Sequence, residues 1–336
     1  MAIQRIGVLG LTHDHIWSNL DELQKAERGQ LVAVADAHHE LRSRAAAAYQ
    51  CATHESADAM LDRESLDAVY VYGDNAAGVE HTIAAAERGL HAMVEKPLAA
   101  SLEGGQRMVA AATAGQTQLM INWPFAWWPQ LQQALTMALA GDIGHVWQVK
   151  YRAAHAGPKE LGCSDFFCDW LFDTERNGGG ALMDYCCYGA VLSQYVLGNP
   201  TSITAVAGRL TKTALSVEDN AVVIMSYPRA ISVSEGSWSH VGNIGNYTTL
   251  IFGSEGTLMV EPREDGRLLK ATEQDPEGIE VPCERRYGPN ASEHFLDCLV
   301  NGLQLYGLVR AEPALGAQAI LSAAIESAQS GQTVSL

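Results

Sequence analysis

Two stretches of this 336-residue chain hold side chains that could move a proton and position an alcohol. The first is Glu95-Lys96-Pro97, which follows the apolar run His91-Ala92-Met93-Val94. An amine just beyond a buried parallel strand faces the ligand crevice of the sheet, where it can polarise a substrate oxygen or relay a proton. Glu95 can set its charge state and Pro97 fixes the backbone direction. A solvated lysine at a strand end accounts for the same residues. The second stretch runs from Asn177 through Gly178, Gly179 and Gly180 to Asp184 and Tyr188. Three glycines bring the chain close to something, and a helix follows. Asp184 and Tyr188 are four apart and share a helix face. A carboxylate and a phenol there can hold a secondary alcohol and exchange its proton, leaving its carbon to face a nicotinamide. Tyr188 packed on a sheet and Asp184 as a cap or surface carboxylate are the alternatives.

The opening run Gly7-Val8-Leu9-Gly10-Leu11-Thr12-His13-Asp14-His15 ends where a dinucleotide turn would lie. Of the Gly-x-Gly-x-x-Gly fingerprint, Gly10 fits the first place; Thr12 stands at the second and His15 at the third. Thr12 still offers an N–H and a hydroxyl to phosphate at a helix N-terminus. Asp36 closes the second apolar run, where a carboxylate accepts ribose hydroxyls, and Ala37, His38 and His39 follow it without an Arg for a 2′-phosphate. That favours NAD, with NADP as the alternative; a cap for the next helix is the other reading of Asp36. His13 and His15 also suggest a catalytic metal of a barrel-type hydrolase, but such a site needs ligands from later βα units, and the second half does not continue them. Cys163, Cys168, Cys186 and Cys187 match no zinc spacing and read as small buried thiols.

The elements that must position these residues follow from periodicity. Strand-like runs at 6–10, 31–35, 66–72, 91–94 and 118–121 alternate with helical segments at 16–28, 41–49, 79–88 and 101–114, which predicts a doubly wound parallel sheet. Beyond residue 145, strands at 146–153, 202–209, 220–227, 231–238, 247–253 and 256–262 surround a helix reaching Leu197, and helices return at 292–300 and 313–330, so the second half reads as α+β. The fold class is therefore α/β with an N-terminal Rossmann sheet and a C-terminal α+β domain carrying a large open, mainly antiparallel sheet. The expected division is 1–121 for the dinucleotide and 122–336 for substrate and oligomerisation, with the last helix packing back on the first domain. The net charge of −17 argues against nucleic acid or an anionic membrane as partner. No apolar run reaches the ~18 residues of a membrane span. The start, Met1 to Ile6, shows no signal-peptide pattern, and seven Cys without regular spacing suit a reducing compartment, so a cytoplasmic protein is expected.

Taken together, several segments resemble the glucose–fructose oxidoreductase, inositol dehydrogenase and rhizopine catabolism (Gfo/Idh/MocA) family over nearly the whole chain. They are His81 to Ala99, Gly141-Asp142-Ile143-Gly144-His145-Val146, Gly178 to Asp184, and Gly253-Ser254-Glu255-Gly256-Thr257-Leu258. The resemblance implies NAD or NADP held between the two domains, and Lys96, Asp184 and Tyr188 acting on the substrate. The expected cofactor contacts are Gly10, Thr12, His13, Asp36, Asn75, His81, Glu95 and Lys96. Aromatic rings beside polar groups suit carbohydrate, so Trp123, Trp128, His155, Asp169 and Trp170 are the expected substrate contacts; ordinary packing is the alternative for each Trp. No metal is expected. A phenol of ordinary pKa needs Lys96 nearby to act as a base at neutral pH. The expected activity is hydride transfer between NAD(P) and a secondary alcohol or ketone of a sugar, cyclitol or polyol, in a homodimer or homotetramer built on the open sheet. The alternatives are a redox-neutral glycoside oxidation–elimination enzyme, the His13/His15 metal hydrolase, and a non-catalytic ligand sensor.

Overall fold

The computed structural model describes residues 3–336; Met1 and Ala2, the start of the opening stretch, lie outside the described residues. The apolar runs of the first half become β1 (Gln4–Leu9), β2 (Gly29–Ala35), β3 (Ala52–His54), β4 (Ala68–Val71), β5 (His91–Glu95) and β6 (Leu119–Asn122). All pairs are parallel, in the order β3-β2-β1-β4-β5-β6. Between them run α1 (His15–Lys25), α2 (His39–Tyr49), α3 (Ala57–Leu61), α4 (Asn75–Glu87) and α5 (Leu102–Ala114). The strand order reverses between β1 and β4, so the crevice of this doubly wound sheet opens there. Helix α1 stops at Lys25, three residues before the expected end. Ala26 turns extended at ψ 127°, and residues 26–28 are used to reach β2. β3 and α3 were not foreseen, being too short for periodicity to show.

A 3₁₀ turn (Pro124–Trp127) and α6 (Pro129–Ala140) lead to the second sheet. This sheet comprises β7 (Val146–Ala154), β8 (Ser202–Gly208), β9 (Asn220–Ser226), β10 (Ile231–Ser237), β11 (Thr249–Gly253), β12 (Thr257–Val260), β13 (Leu268–Ala271), β14 (Ile279–Val281) and β15 (Val334–Ser335). Their order is β14-β13-β12-β11-β7-β10-β9-β8-β15, antiparallel throughout except for the parallel pair β7 and β10. The helices of this half are α7 (Asp165–Leu171), α8 (Thr174–Asn177), α9 (Ala181–Leu197), α10 (Ala291–Asn301) and α11 (Ala311–Ser330).

One face of the sheet is covered. α9 is apolar nearly all round, as a helix buried on every side must be, and is buried from Ala181 to Ser193. α11 packs on α9, β8 and α5 and reaches β6 of the first sheet; its Gln318 Oε1 accepts the N–H of Ala99, in the loop after β5, at 3.3 Å. The other face carries Trp147, Val206, Val222, Ile224 and Ile231, all exposed, with Val206 at 72%. Alternation along the strands has placed large apolar residues on a side that no helix of the described residues covers.

Candidate active site

β5 ends at Glu95, so Lys96 projects from the sheet edge across the crevice toward the first turn of α9. Its Nζ lies 2.5 Å from Asp184 Oδ1 and 3.3 Å from the Asp184 carbonyl. The second carboxylate oxygen accepts the indole N–H of Trp238, just past β10, at 3.0 Å. Lys96 and Asp184 are both buried. Burial opposes charge on each, yet their mutual attraction prevails: the Lys96 pKa is raised and the Asp184 pKa lowered. The pair is an ammonium–carboxylate ion pair in which each Asp184 carboxylate oxygen accepts from one buried donor, Lys96 on Oδ1 and Trp238 on Oδ2.

Tyr188 stands one helical turn beyond Asp184, and burial holds its phenol well above the ordinary range. Lys96 Nζ sits 5.3 Å from the centre of the Tyr188 ring, over its face. The expectation that Lys96 makes this phenol a base near neutral pH is therefore corrected: the ammonium is engaged with Asp184.

These groups open on a cavity of about 170 Å³, whose wall includes His13, His15, Lys96, Phe125, Trp128, Tyr151, His155, Asp184, Tyr185, Tyr188, Tyr247 and Arg263. Burial lowers the His155 pKa to about 4, so the ring is neutral. Its Nδ1 accepts the N–H of Gly157 at 2.8 Å, which leaves Nε2–H as a donor. Of the expected substrate contacts, Trp128 and His155 reach this wall. Three do not. Trp123 is buried one layer back, 5.9 Å from the Tyr188 ring. Trp170 packs behind His13, with ring centres 5.7 Å apart. Asp169 is 78% exposed and pairs with Arg176 outside the cavity. Residue type suggested these contacts, but the 3₁₀ turn and α7 point the side chains elsewhere. Tyr185, Tyr247 and Arg263 were not foreseen as site residues. Tyr185 could have been read from its place beside Asp184; Tyr247, expected to open the strand 247–253, lies two residues before that strand begins at Thr249, and Arg263 lies in a loop with no pattern.

The turn after β1 keeps one glycine of the fingerprint for a geometric reason. Gly10 has φ +85°, and a Cβ there would lie 2.5 Å from the backbone nitrogen of Gly73 after β4. Asp36, buried at the end of β2, accepts the N–H of Leu11 through Oδ2 and that of His38 through Oδ1, each at 2.7 Å. It does not cap α2, whose N-cap is His38. The nearest guanidinium, Arg42, is spent on the carbonyls of Asp36 and Ala37 and on Glu55. Helix α1 has no side-chain cap, and among the described residues the N–H groups of Thr12 and Asp14 carry no hydrogen bond. A close-approach glycine, free N–H groups at a helix N-terminus and a buried carboxylate at the second strand fit a dinucleotide.

Two further expected cofactor contacts lie on α4. Asn75 gives its amide N–H groups to the carbonyl and side-chain oxygen of Asn177, tying α4 to the glycine loop. His81 lies on α4 outside the cavity wall, with Nδ1 buried and unpartnered among the described residues. The structure also brings Glu95 to His13 and His15, the candidate ligating atoms lying within 4.8 Å of one another. Those atoms already serve each other. His15 Nδ1 meets Glu95 Oε1 at 3.0 Å, His13 Nδ1 accepts the backbone N–H of His15 at 3.2 Å, and Asn122 donates to Glu95 Oε2 at 2.9 Å. Burial lowers the His13 pKa, and the charges of His15 and Lys96 lower it further. A His15–Glu95 hydrogen bond, braced by Asn122 and lying beside the fixed Lys96 ammonium, describes the cluster.

A parallel Rossmann sheet joined to an open mixed sheet, with a buried Lys–Asp pair at their junction, defines a two-domain NAD(P)-dependent oxidoreductase. Residues 4–123 match the oxidoreductase family with an NAD-binding Rossmann fold, and residues 131–259 match the GFO/IDH/MocA C-terminal domain. The chain belongs to the Gfo/Idh/MocA family. It is 26% identical over 352 residues to D-apiose dehydrogenase of Paraburkholderia graminis, covering 100% of this chain and 89% of that one. Aldose–aldose oxidoreductase of Caulobacter crescentus, solved with glycerol, superposes with a TM-score of 0.82 at 22% identity, covering 99% of this chain and 100% of that one. An oxidoreductase of Agrobacterium radiobacter, solved with NAD+, L-tartaric acid and magnesium, gives a TM-score of 0.81 at 18% identity, covering 99% and 98%.

Proposed function

We propose that this protein transfers a hydride between NAD(H) and a secondary alcohol or ketone carbon of a sugar, cyclitol or related polyol. The observation that carries this reading is the buried Lys96–Asp184 pair opening on an aromatic, polar-lined cavity beside the dinucleotide turn. The names of the relatives, a pentose dehydrogenase and an aldose oxidoreductase, support a carbohydrate. The bound nicotinamide supplies or accepts the hydride. Residues 1–121 hold the cofactor, with Gly10, Thr12, His13 and Asp36 at the turn and Glu95 and Lys96 farther along the crevice; residues 122–336 supply the substrate wall. Asp36, with no uncommitted arginine beside it, favours NAD over NADP.

Lys96 is the proton donor in this reading. Its ammonium, fixed by Asp184, hydrogen-bonds the substrate oxygen and gives up a proton as the carbonyl becomes an alcohol. Asp184 orients that ammonium and is itself oriented by Trp238. Tyr188 lines the site as a neutral phenol and donates or accepts a hydrogen bond without ionising.

The test is steady-state turnover with NADH and NADPH over a panel of ketoses and inososes, and in reverse over sugars and polyols, from pH 6 to 9. Because the Lys96 pKa is raised, the donor stays protonated throughout this range, and reduction should be nearly flat with pH. Oxidation needs the rare neutral amine, so its kcat should rise about tenfold per pH unit. An oxidation profile that levels off within this range would mean that another group accepts the proton, and would reject Lys96.

We infer that the uncovered sheet face pairs with a second copy of this chain, because large apolar residues stand exposed along it. Ile224→Glu, in the middle of that face, should reduce the mass in solution toward the 36.1 kDa protomer in light scattering. An unchanged mass would place the interface elsewhere. The seven cysteines are unpaired, which accords with a cytoplasmic location, and no helix of the described residues is long and apolar enough to cross a membrane.

A further inference from the structure

We propose that the substrate of this cavity carries an anionic group, a carboxylate or phosphate on a polyol, and that the guanidinium of Arg263 receives it. The inference rests on the cavity being the substrate site and narrows what it takes.

Arg263 lies in the hairpin between β12 and β13 with φ +74°, a conformation few non-glycine residues adopt. Such strain persists only where the surroundings impose it. Here Gln130, on the buried side of α6 and 1% exposed, imposes it: its Nε2 donates to the carbonyl of Glu261 at 3.1 Å and to that of Arg263. Gly266 N–H donates to the same Arg263 carbonyl at 3.2 Å. The hairpin is thereby curled so that the guanidinium stacks 4.8 Å from the ring centre of Tyr247 and joins the cavity wall. Tyr247 is itself left-handed at φ +56°. Its hydroxyl bonds that of Tyr185 at 2.9 Å, one residue from Asp184. Two strained residues, one in the β12–β13 hairpin and one in the connection from β10 to β11, thus meet at the cavity wall, and the Tyr185–Tyr247 contact links them to the catalytic helix.

The charge balance of the wall then selects the ligand. Asp184 is the one carboxylate among the residues that line the cavity, and Lys96 holds it. Arg263 makes no ion pair or side-chain hydrogen bond from its guanidinium among the described residues; its neighbour Glu264 faces Arg285 at 3.6 Å. His155 adds a neutral N–H donor. The wall therefore offers one uncompensated positive charge and surplus donors, in a chain whose net charge of −17 repels anions elsewhere. A planar fork of donors suits a carboxylate or phosphate through paired hydrogen bonds.

The experiment is calorimetric titration of the NAD-loaded protein with matched sets: aldonates and hexuronates, sugar phosphates, and the corresponding alditols and aldoses. We expect an anionic member to bind at least tenfold tighter than its neutral partner, and the set in which it does so distinguishes carboxylate from phosphate. Arg263→Gln should reduce that preference about 10- to 100-fold, while Arg263→Lys retains part of it because the charge survives and the fork does not. Neutral members binding as tightly, an Arg263→Gln protein that keeps the preference, or no anion bound at all would overturn the inference. Hydride transfer is read separately as NADH formation. A protein that oxidises neutral polyols and ignores anions keeps the redox reading and loses this one; a protein that binds anions through Arg263 without hydride transfer does the reverse.

Discussion

Replacing Lys96 by Met is expected to lower kcat by about 10²- to 10⁴-fold in both directions, the span associated with loss of a positioned proton donor and its electrostatic contribution. Methionine keeps the unbranched apolar stem, so the loss falls on the amine. The same change should destabilise the fold, because Asp184 is buried and its Lys96 bond disappears while Trp238 alone still donates to it. Removing one partner of a buried ion pair costs about 3–5 kcal/mol. The pH dependence separates this from generic damage. In the native protein the folded Asp184 pKa is lowered, so its contribution is present above the unfolded carboxylate pKa and is lost as the pH falls through the folded value. In Lys96→Met, burial acts without the ammonium and raises the folded pKa, so the variant should recover stability relative to wild type as the pH falls from 7 to 5. Thermal melts at the two values measure this. Adding Asp184→Asn to Lys96→Met should restore stability at pH 7 without restoring turnover. A single variant as active as wild type ends the catalytic role of Lys96; a double variant that melts as low as the single one ends the buried-charge explanation.

What could be read from the sequence depended on whether the chemistry sat at the end of a regular element. Lys96 follows a strand of five residues and Asp184 opens a helix of seventeen, so periodicity located the elements and their ends located the side chains. The fold class was legible for the same reason, since the long strands and helices carry clear periods. Short elements such as β3, β14 and α8 have three or four residues and no period to detect. The parallel pairing of β7 with β10 joins segments some eighty residues apart, and local pattern does not report it. Side-chain direction was the harder quantity. Trp123, Trp170 and Asp169 had suitable chemistry, but which way each points is set by a 3₁₀ turn and a seven-residue helix whose packing is tertiary. Arg263 and Tyr247 were invisible because backbone held left-handed by Gln130, and by the docking of Tyr247 N–H on the Arg152 carbonyl, leaves no signature in residue type.

Gly10→Ala is expected to abolish tight nucleotide binding, with at least a tenfold rise in the Kd for NADH measured by fluorescence titration. Two costs combine at this position. A left-handed backbone costs an alanine about 1–2 kcal/mol. The added Cβ would also lie 2.5 Å from the nitrogen and 2.6 Å from the Cα of Gly73, and both are backbone atoms that no rotamer change can move aside. Relief requires the turns after β1 and β4 to separate. That displaces the Leu11 N–H from Asp36 and the His13 N–H from the Tyr72 carbonyl, the bonds that shape the turn. Gly89→Ala isolates the first cost. Gly89 has a similar φ of +73° but nothing within 4 Å of its would-be Cβ. It should therefore lose about 1–2 kcal/mol of stability and leave NADH affinity unchanged, because it lies at the far end of α4. If both variants weaken NADH equally, the loss reflects general destabilisation. If Gly10→Ala alone does, the β1–β4 contact is what shapes the dinucleotide turn, and a chain with Thr12 and His15 at the other two glycine positions keeps its cofactor through the one close approach that geometry does not let it give up.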